Sequence, residues 1–456
     1  MSIPEAAQQF QDYSAAGRNS IFIWALALIF TGLGFWNWRG AVKAALVLIL
    51  FEGVLRKQLL PAAQELNYAL KDFLLAGGYL RFFLLPDEAV RRTHLAIGKH
   101  ARLLALTAIC VVSLGVLNPN LGSPWTACFG LLIYLFYMPL WVMMLRLFSS
   151  EADMKKGLLV YALCAAPICC TCIYQWWTPS ASILSPYASG LGSPPRITGT
   201  FSYVSGLTAF LSLFFGLHLG LLSCSQPAWA RWVLLLNLAL LITCGALSES
   251  RTAMTQMVLW GVLLTIYMVL RSGVRRIWLI GALGLFVILA EAGLATNQWG
   301  LHHSYVASTA RAWTRGAESV MHAVFATPLS GYGIAASHPR IESLRRHLRA
   351  PKPPKAAPVY DSEPFTIYSE LGPAGFAAWY LLRLTLLILS IQSVRAGTNR
   401  EIKPLGFVFV LAQFFSLFVP FVLNAVTALL VTAASGLTIQ VERGKTSKND
   451  KPLSAC

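Results

Sequence analysis

Apolar runs of about twenty residues recur from residue 20 to residue 440, each long enough to cross ~30 Å of hydrocarbon as a helix. A backbone in lipid must satisfy its own amides and carbonyls, which a helix does within one segment. The chain is therefore expected to be an all-α polytopic membrane protein, with about 12 transmembrane helices and one large extramembrane loop. The expected spans are 20–36, 41–60, 101–117, 125–147, 157–177, 201–222, 231–247, 252–270, 277–295, 367–394, 405–422 and 423–440. Segment 70–85, LKDFLLAGGYLRFFLL, is short and charged at both ends. Crossing, re-entry and an interfacial position all stay open for it.

Composition agrees. The 456 residues are 56% hydrophobic and 12% charged, against about 25% charged in a soluble domain. A net charge of +17 raises nucleic acid as a partner. In a membrane protein such an excess belongs to cytoplasmic loops. No zinc-finger or RNA-binding signature accompanies it, so no nucleic-acid partner is expected. Most cysteines, Cys169, Cys170 and Cys172 among them, lie inside apolar runs and read as small hydrophobes rather than metal ligands. The first twenty residues are polar, and no small-residue cleavage pattern follows, so the first span is expected to stay as an anchor.

Short basic connections at 86–102, 148–157, 271–276 and 395–403 alternate with connections at 118–124, 178–200, 248–251 and 297–365. The positive-inside rule makes the first group cytoplasmic and the second group external. The chain then divides into an N-terminal bundle (1–296), a large periplasmic loop (297–365), C-terminal helices (366–442) and a cytoplasmic tail (443–456). The loop is itself basic, but loops beyond about 60 residues largely escape the rule.

Four features meet on the external face of this topology. They are Arg196 in SPPRITGTFSYVSG, Glu249 and Arg251 in LSESRTAM, Arg311 and Arg315 in ARAWTRGAESV, and Asp361 with Glu363 before the next span. Arg311 and Arg315 are four apart, one face of a helix. Arginines at span ends often only reach for headgroups. Several on the side that disfavours positive charge read instead as planar forks for phosphate oxygens, able to stabilise a departing diphosphate without a metal. Asp361 and Glu363 either cap the following helix or supply a general base for an attacking hydroxyl. The loop histidines, His302 and His303 included, form no metal pattern and are read as solvated. Glu52 and Arg56 are four apart and can pair along a helix. Ionisable groups so deep are functional by default.

At these stretches the chain resembles the O-antigen ligase and O-antigen polymerase-like (exopolysaccharide polymerase) superfamily of bacterial membrane glycosyltransferases. EGVLRK (52–57) followed by KD (71–72) looks like a pattern of exopolysaccharide-polymerase-like members. RITGTFSYVSG is similar to the family's Arg-x-x-Gly-x-Phe turn, and SESR to its Ser-Arg turn. RAWTRGAESVMHAVFATPLSGYG (311–333) resembles the family's Arg and Trp helix leading into Pro-Leu-x-Gly-x-Gly. SELGPAG (369–375) resembles its Glu-x-Gly-x-x-Gly entry to a span. Ligases of the family carry a His, then Asn or Ser, eleven residues before the first Gly of that entry; this chain has Asp361-Ser362 there. That departure favours a polymerase-like member.

The resemblance implies a donor oligosaccharide on undecaprenyl diphosphate, a glycan acceptor, inversion without metal or cofactor, and a site in the bacterial inner membrane beside other polysaccharide-export proteins. Asp361, Glu363 and Arg311 are the expected catalytic residues, and Arg196, Arg251 and Arg315 the expected diphosphate ligands. A ligase to lipid A core, a transporter or flippase, and a non-catalytic scaffold are the alternatives.

Overall fold

The computed structural model describes residues 24–55, 64–86, 99–178, 197–201, 203–248, 250–272, 327–338, 363–396, 402–418 and 428–434, with 325, 341, 344–345, 357–358, 360 and 437. Among the described residues all regular structure is helical. The helices are α1 (Trp24–Trp36), α2 (Trp38–Val54), α3 (Gln64–Leu84), α4 (Lys99–Leu114), α5 (Pro124–Leu135), α6 (Met138–Met144) and α7 (Glu151–Leu163). They continue with α8 (Ala165–Trp177), α9 (Val204–Leu222), α10 (Ala228–Leu247), α11 (Arg251–Ser272), α12 (Glu363–Ala396) and α13 (Lys403–Ser416).

Among the described residues, five stretches are long and apolar enough to cross a membrane: Pro124–Met144, Glu151–Trp177, Val204–Leu222, Ala228–Leu247 and Glu363–Arg395. Shorter apolar helices stand at Trp24–Trp36, Ala105–Leu117, Thr252–Met268 and Lys403–Ser416. The expected span 277–295 lies outside the described residues.

Three expected spans are interrupted. The run 125–147 turns at Phe136–Tyr137, just before Pro139, and 157–177 turns at Cys164, just before Pro167. A proline ring clashes with the carbonyl four residues back and donates nothing to it, so the helix restarts there. The third break, at Gly372, divides α12 into a short arm, 363–371, and a long arm, 373–396.

The chain forms two compact units, one of residues 1–94 with 166–207 and the other of 95–165 with 208–456. In the first, α2 and α3 form an antiparallel hairpin. Trp38 meets Phe82 edge-on at 5.0 Å, and near the other end Glu52 meets Lys71 at 3.2 Å. α1 approaches α3 through glycine: a Cβ on Gly34 would strike the Leu74 carbonyl, and one on Gly77 the Thr31 carbonyl. Small residues allow this close approach of helices. Segment 70–85 is thus largely part of the 21-residue helix α3, laid along α2.

Glu52 thus has a partner on the next helix, whereas the pairing expected within α2 involves Arg56. Arg56 lies outside the described residues. Lys71 is 2% exposed and Glu52 6%. Lys71→Met, which strands a buried carboxylate, is expected to cost about 3–5 kcal/mol, and Glu52→Gln added to it to recover most of the loss. Thermal melting of detergent-purified protein measures both.

In the second unit, α13 fixes the direction of its neighbours. Tyr380 and Arg383 bond to Leu417 and Ser416, Ser390 to Gln413, and Val394 packs on Gly406, so the long arm of α12 runs antiparallel to α13. α11 is antiparallel to it too, with Trp260 on Phe415 (5.3 Å) and Tyr267 stacked on Phe407 (4.2 Å). α9 follows α11: Trp260 Nε1 donates to Ser212 Oγ at 3.0 Å and covers Gly216, while Gly220 faces Leu405 and Val408. The starts of α11 and of the long arm therefore lie at one end of this unit.

Candidate functional site

That end is built on the carboxylate of Glu370, in the short arm and fully buried. Its Oε2 accepts from Tyr134 Oη (2.6 Å) and the Ala335 amide (3.0 Å). Its Oε1 accepts from the Ser337 amide (3.0 Å) and hydroxyl (2.5 Å). The backbone continues the join: Tyr332 N donates to Ser369 O (2.8 Å) and Gly333 N to Glu370 O (2.9 Å). The loop 328–338, PLSGYGIAASH, is thereby clamped to the SELGPAG stretch of α12.

Two glycines allow the contact. Gly331 (φ +67°) and Gly372 (φ +70°) sit backbone to backbone; a Cβ on Gly331 would strike the Glu370 carbonyl, and one on Gly372 the Leu329 carbonyl. On the loop's other side, Asn118 Nδ2 donates to Ser330 O (3.1 Å) and Gly331 O (2.9 Å). Arg345, read from sequence as one charge of a basic loop, is buried and donates to the Asn120 carbonyl at 2.6 Å.

The break at Gly372 folds α12 into a helical hairpin. In a straight helix Glu363 and Arg383, twenty residues apart, would lie ~30 Å from each other. Instead Arg383 Nη1 meets Glu363 Oε1 at 2.9 Å. Tyr368, four residues before Gly372, meets Phe376, four after it, at 5.7 Å. Both contacts centre on the Gly372–Pro373 step, so the short arm runs back along the long one. The ion pair lies about 15 Å along the long arm from the turn. Arg383 Nη2 also donates to the carbonyl and the hydroxyl of Ser416. Arg383 is 6% exposed and Glu363 2%.

A polar seam continues from this pair. Arg383, Gln413, Ser416 and Thr432 line a small, partly open cleft together with apolar side chains. A second small cleft shares Ser416 and Val431 with it and is lined by Ser212 and Gln256. Farther along α9 and α11, Thr208 Oγ1 and Ser250 Oγ are 2.9 Å apart. Ser250 caps α11 by accepting from the Ala253 amide at 3.3 Å.

The first unit has its own bracket. Gln175 Oε1 accepts from the amides of Thr198 (3.0 Å) and Gly199 (2.8 Å), and its Nε2 donates to Gly199 O (2.9 Å). Thr200 Oγ1 donates to the Leu50 carbonyl, and the Val54 amide to Thr200 O (3.2 Å). Gly53 lies against the Thr200–Phe201 backbone. The ITGTF turn therefore rests on the EGV end of α2.

Of the six expected site residues, two are described. Glu363 is the buried partner of Arg383. Arg251 is the first residue of α11, nine residues before Trp260. It is thus roughly 14 Å along the helix from the level of Phe415, whose neighbour Ser416 bonds to Arg383. Arg196, Arg311, Arg315 and Asp361 lie outside the described residues. Glu370 and Arg383 were missed by the sequence reading. The signal for Arg383 was there: a lone arginine inside LLRLTLL is an intramembrane charge that needs a partner. Cys169 and Cys172 are buried on α8, while Cys170 between them is exposed, so the three thiols do not share one face. Comparison of the chain with protein-family models and with curated proteins finds no match.

Proposed function

We propose that the chain is a membrane glycosyltransferase of the bacterial inner membrane. It polymerises, or transfers, oligosaccharide repeat units from undecaprenyl diphosphate during exopolysaccharide or O-antigen synthesis. One observation carries the reading: SESR, PLSGYG and SELGPAG, far apart in sequence, come to one end of the second unit. In the proposed topology that end faces the periplasm. Arg251 adds a cation at the start of α11, where helix amides already favour an anion.

In the proposed reaction an acceptor hydroxyl attacks the anomeric carbon. The carbon–oxygen bond to the carrier breaks, and the diphosphate leaves with the electron pair. Asp361 takes the hydroxyl proton, and Arg196, Arg251, Arg311 and Arg315 balance the charge of the leaving group.

Asp361→Asn is expected to abolish glycan elongation at an unchanged protein level. Normal chain length in that variant removes Asp361 from the mechanism. In a deletion strain, single repeats held on the carrier indicate a polymerase, and full-length polymer held there indicates a ligase to lipid A core.

A second reading, a transporter or flippase, draws on the broken helix α12 and the buried pairs Glu52–Lys71 and Glu363–Arg383. Interrupted helices and mid-depth charges are features of transporters. Purified protein in liposomes with a lipid-linked donor separates the two. New glycosidic bonds support the transferase, and uptake without bond formation supports the transporter.

A further inference from the structure

We infer that Arg383 and Glu363 are a positioning pair for the proposed transfer: together they fold the short arm of α12 along the long arm and set where the chain from the large loop enters the hairpin. This rests on the glycosyltransferase reading and narrows it, because it removes Glu363 from the candidate proton acceptors.

The geometry is specific. One guanidinium joins three pieces of chain, with Nη1 on the short arm at Glu363, its own backbone in the long arm, and Nη2 on Ser416 at the end of α13. A planar fork holds two partners in fixed directions, which a lysine ammonium does not. The Glu363 carboxylate is committed to this contact, with a side chain 1% exposed. A sugar hydroxyl has no approach to a carboxylate so enclosed and so paired. Asp361, two residues upstream in the sequence, is then the carboxylate left for the proton. Arg383 also borders the cleft beside Gln413, Ser416 and Thr432, so displacement of the pair reshapes space next to the hairpin. Exchanging the two charges would turn a carboxylate toward the Ser416 carbonyl, so a swapped pair is no rescue here.

Variants are expressed in a strain lacking the native copy, and polymer output is read per unit of protein. Glu363→Gln and Arg383→Met are each expected to lower output at least about tenfold, as misplacement by an ångström does at a reacting centre. Arg383→Lys, which keeps the charge and loses the fork, gives an intermediate output. The double variant E363Q/R383M strands no buried charge. It is expected to accumulate and melt like the wild type while its output stays at least about tenfold low.

Wild-type output from the double variant would reduce the pair to a structural tie and overturn the proposal. So would full output from Arg383→Met beside an inactive Glu363→Gln, because Glu363 would then act alone. If the wild-type chain restores no polymer, the transferase reading fails, and the pair is judged by cross-linking. Tyr368→Cys with Phe376→Cys is expected to be cross-linked by a short bifunctional thiol reagent, and to lose most of the cross-link when Arg383→Met is added. Undiminished cross-linking in that triple variant refutes the pair's part in the hairpin.

Discussion

Glu370→Ala is expected to destabilise the protein by about 4 kcal/mol or more and to leave little of it folded in the membrane. Four donors converge on this one carboxylate: the amides of Ala335 and Ser337 and the hydroxyls of Ser337 and Tyr134. All are buried, and each orphaned donor costs about 1–3 kcal/mol. The amides cannot turn to other partners, because Tyr332 and Gly333 are bonded to the same arm just before them. Glu370→Gln keeps the shape and faces an NH₂ group against donors, so about 1–3 kcal/mol is expected from it. Protein yield from membranes and melting in detergent measure both losses. An alanine variant that melts with the wild type would show that the clamp contributes nothing to the fold.

Gly372→Ala is expected to cost about 3 kcal/mol or more, by a different route. At φ +70° and ψ 178° the residue occupies backbone space that L-residues enter only at about 1–3 kcal/mol. The added methyl also meets the Leu329 carbonyl, which cannot retreat without breaking the clamp. Gly32 in α1 is the control. A Cβ there meets nothing within 4 Å, so Gly32→Ala is expected to be neutral, or to stabilise by up to about 1 kcal/mol through helix propensity. Equal melting temperatures for the two variants would mean that the hairpin turn tolerates an ordinary residue.

The helical character of the chain was legible because apolar run length alone decides it. The interruptions were less so. Hydropathy averages over eighteen residues or so, and a window across 363–395 reads one long apolar segment where the chain doubles back. The Gly372-Pro373 step was visible in the sequence, but nothing local says that the nine residues before it turn alongside those after it. That depends on Arg383 reaching Glu363, a contact between residues twenty apart. The Lys71 partner of Glu52 was hidden for a related reason: a spacing of four looks along one helix only, while this contact comes from the packing of α2 on α3. The part played by Glu370 is not legible in the sequence, because a lone carboxylate carries no sign of the four donors that fold around it.

The seating of Gly331 on Gly372 has a consequence for any mutational survey of this region. Where two main chains touch, every replacement adds atoms to a place with no room. Positions with no reactive group to offer will then rank beside those that have one. Loss of polymer at 331 or 372 reports assembly, and scoring output against membrane-embedded protein separates it from loss of chemistry.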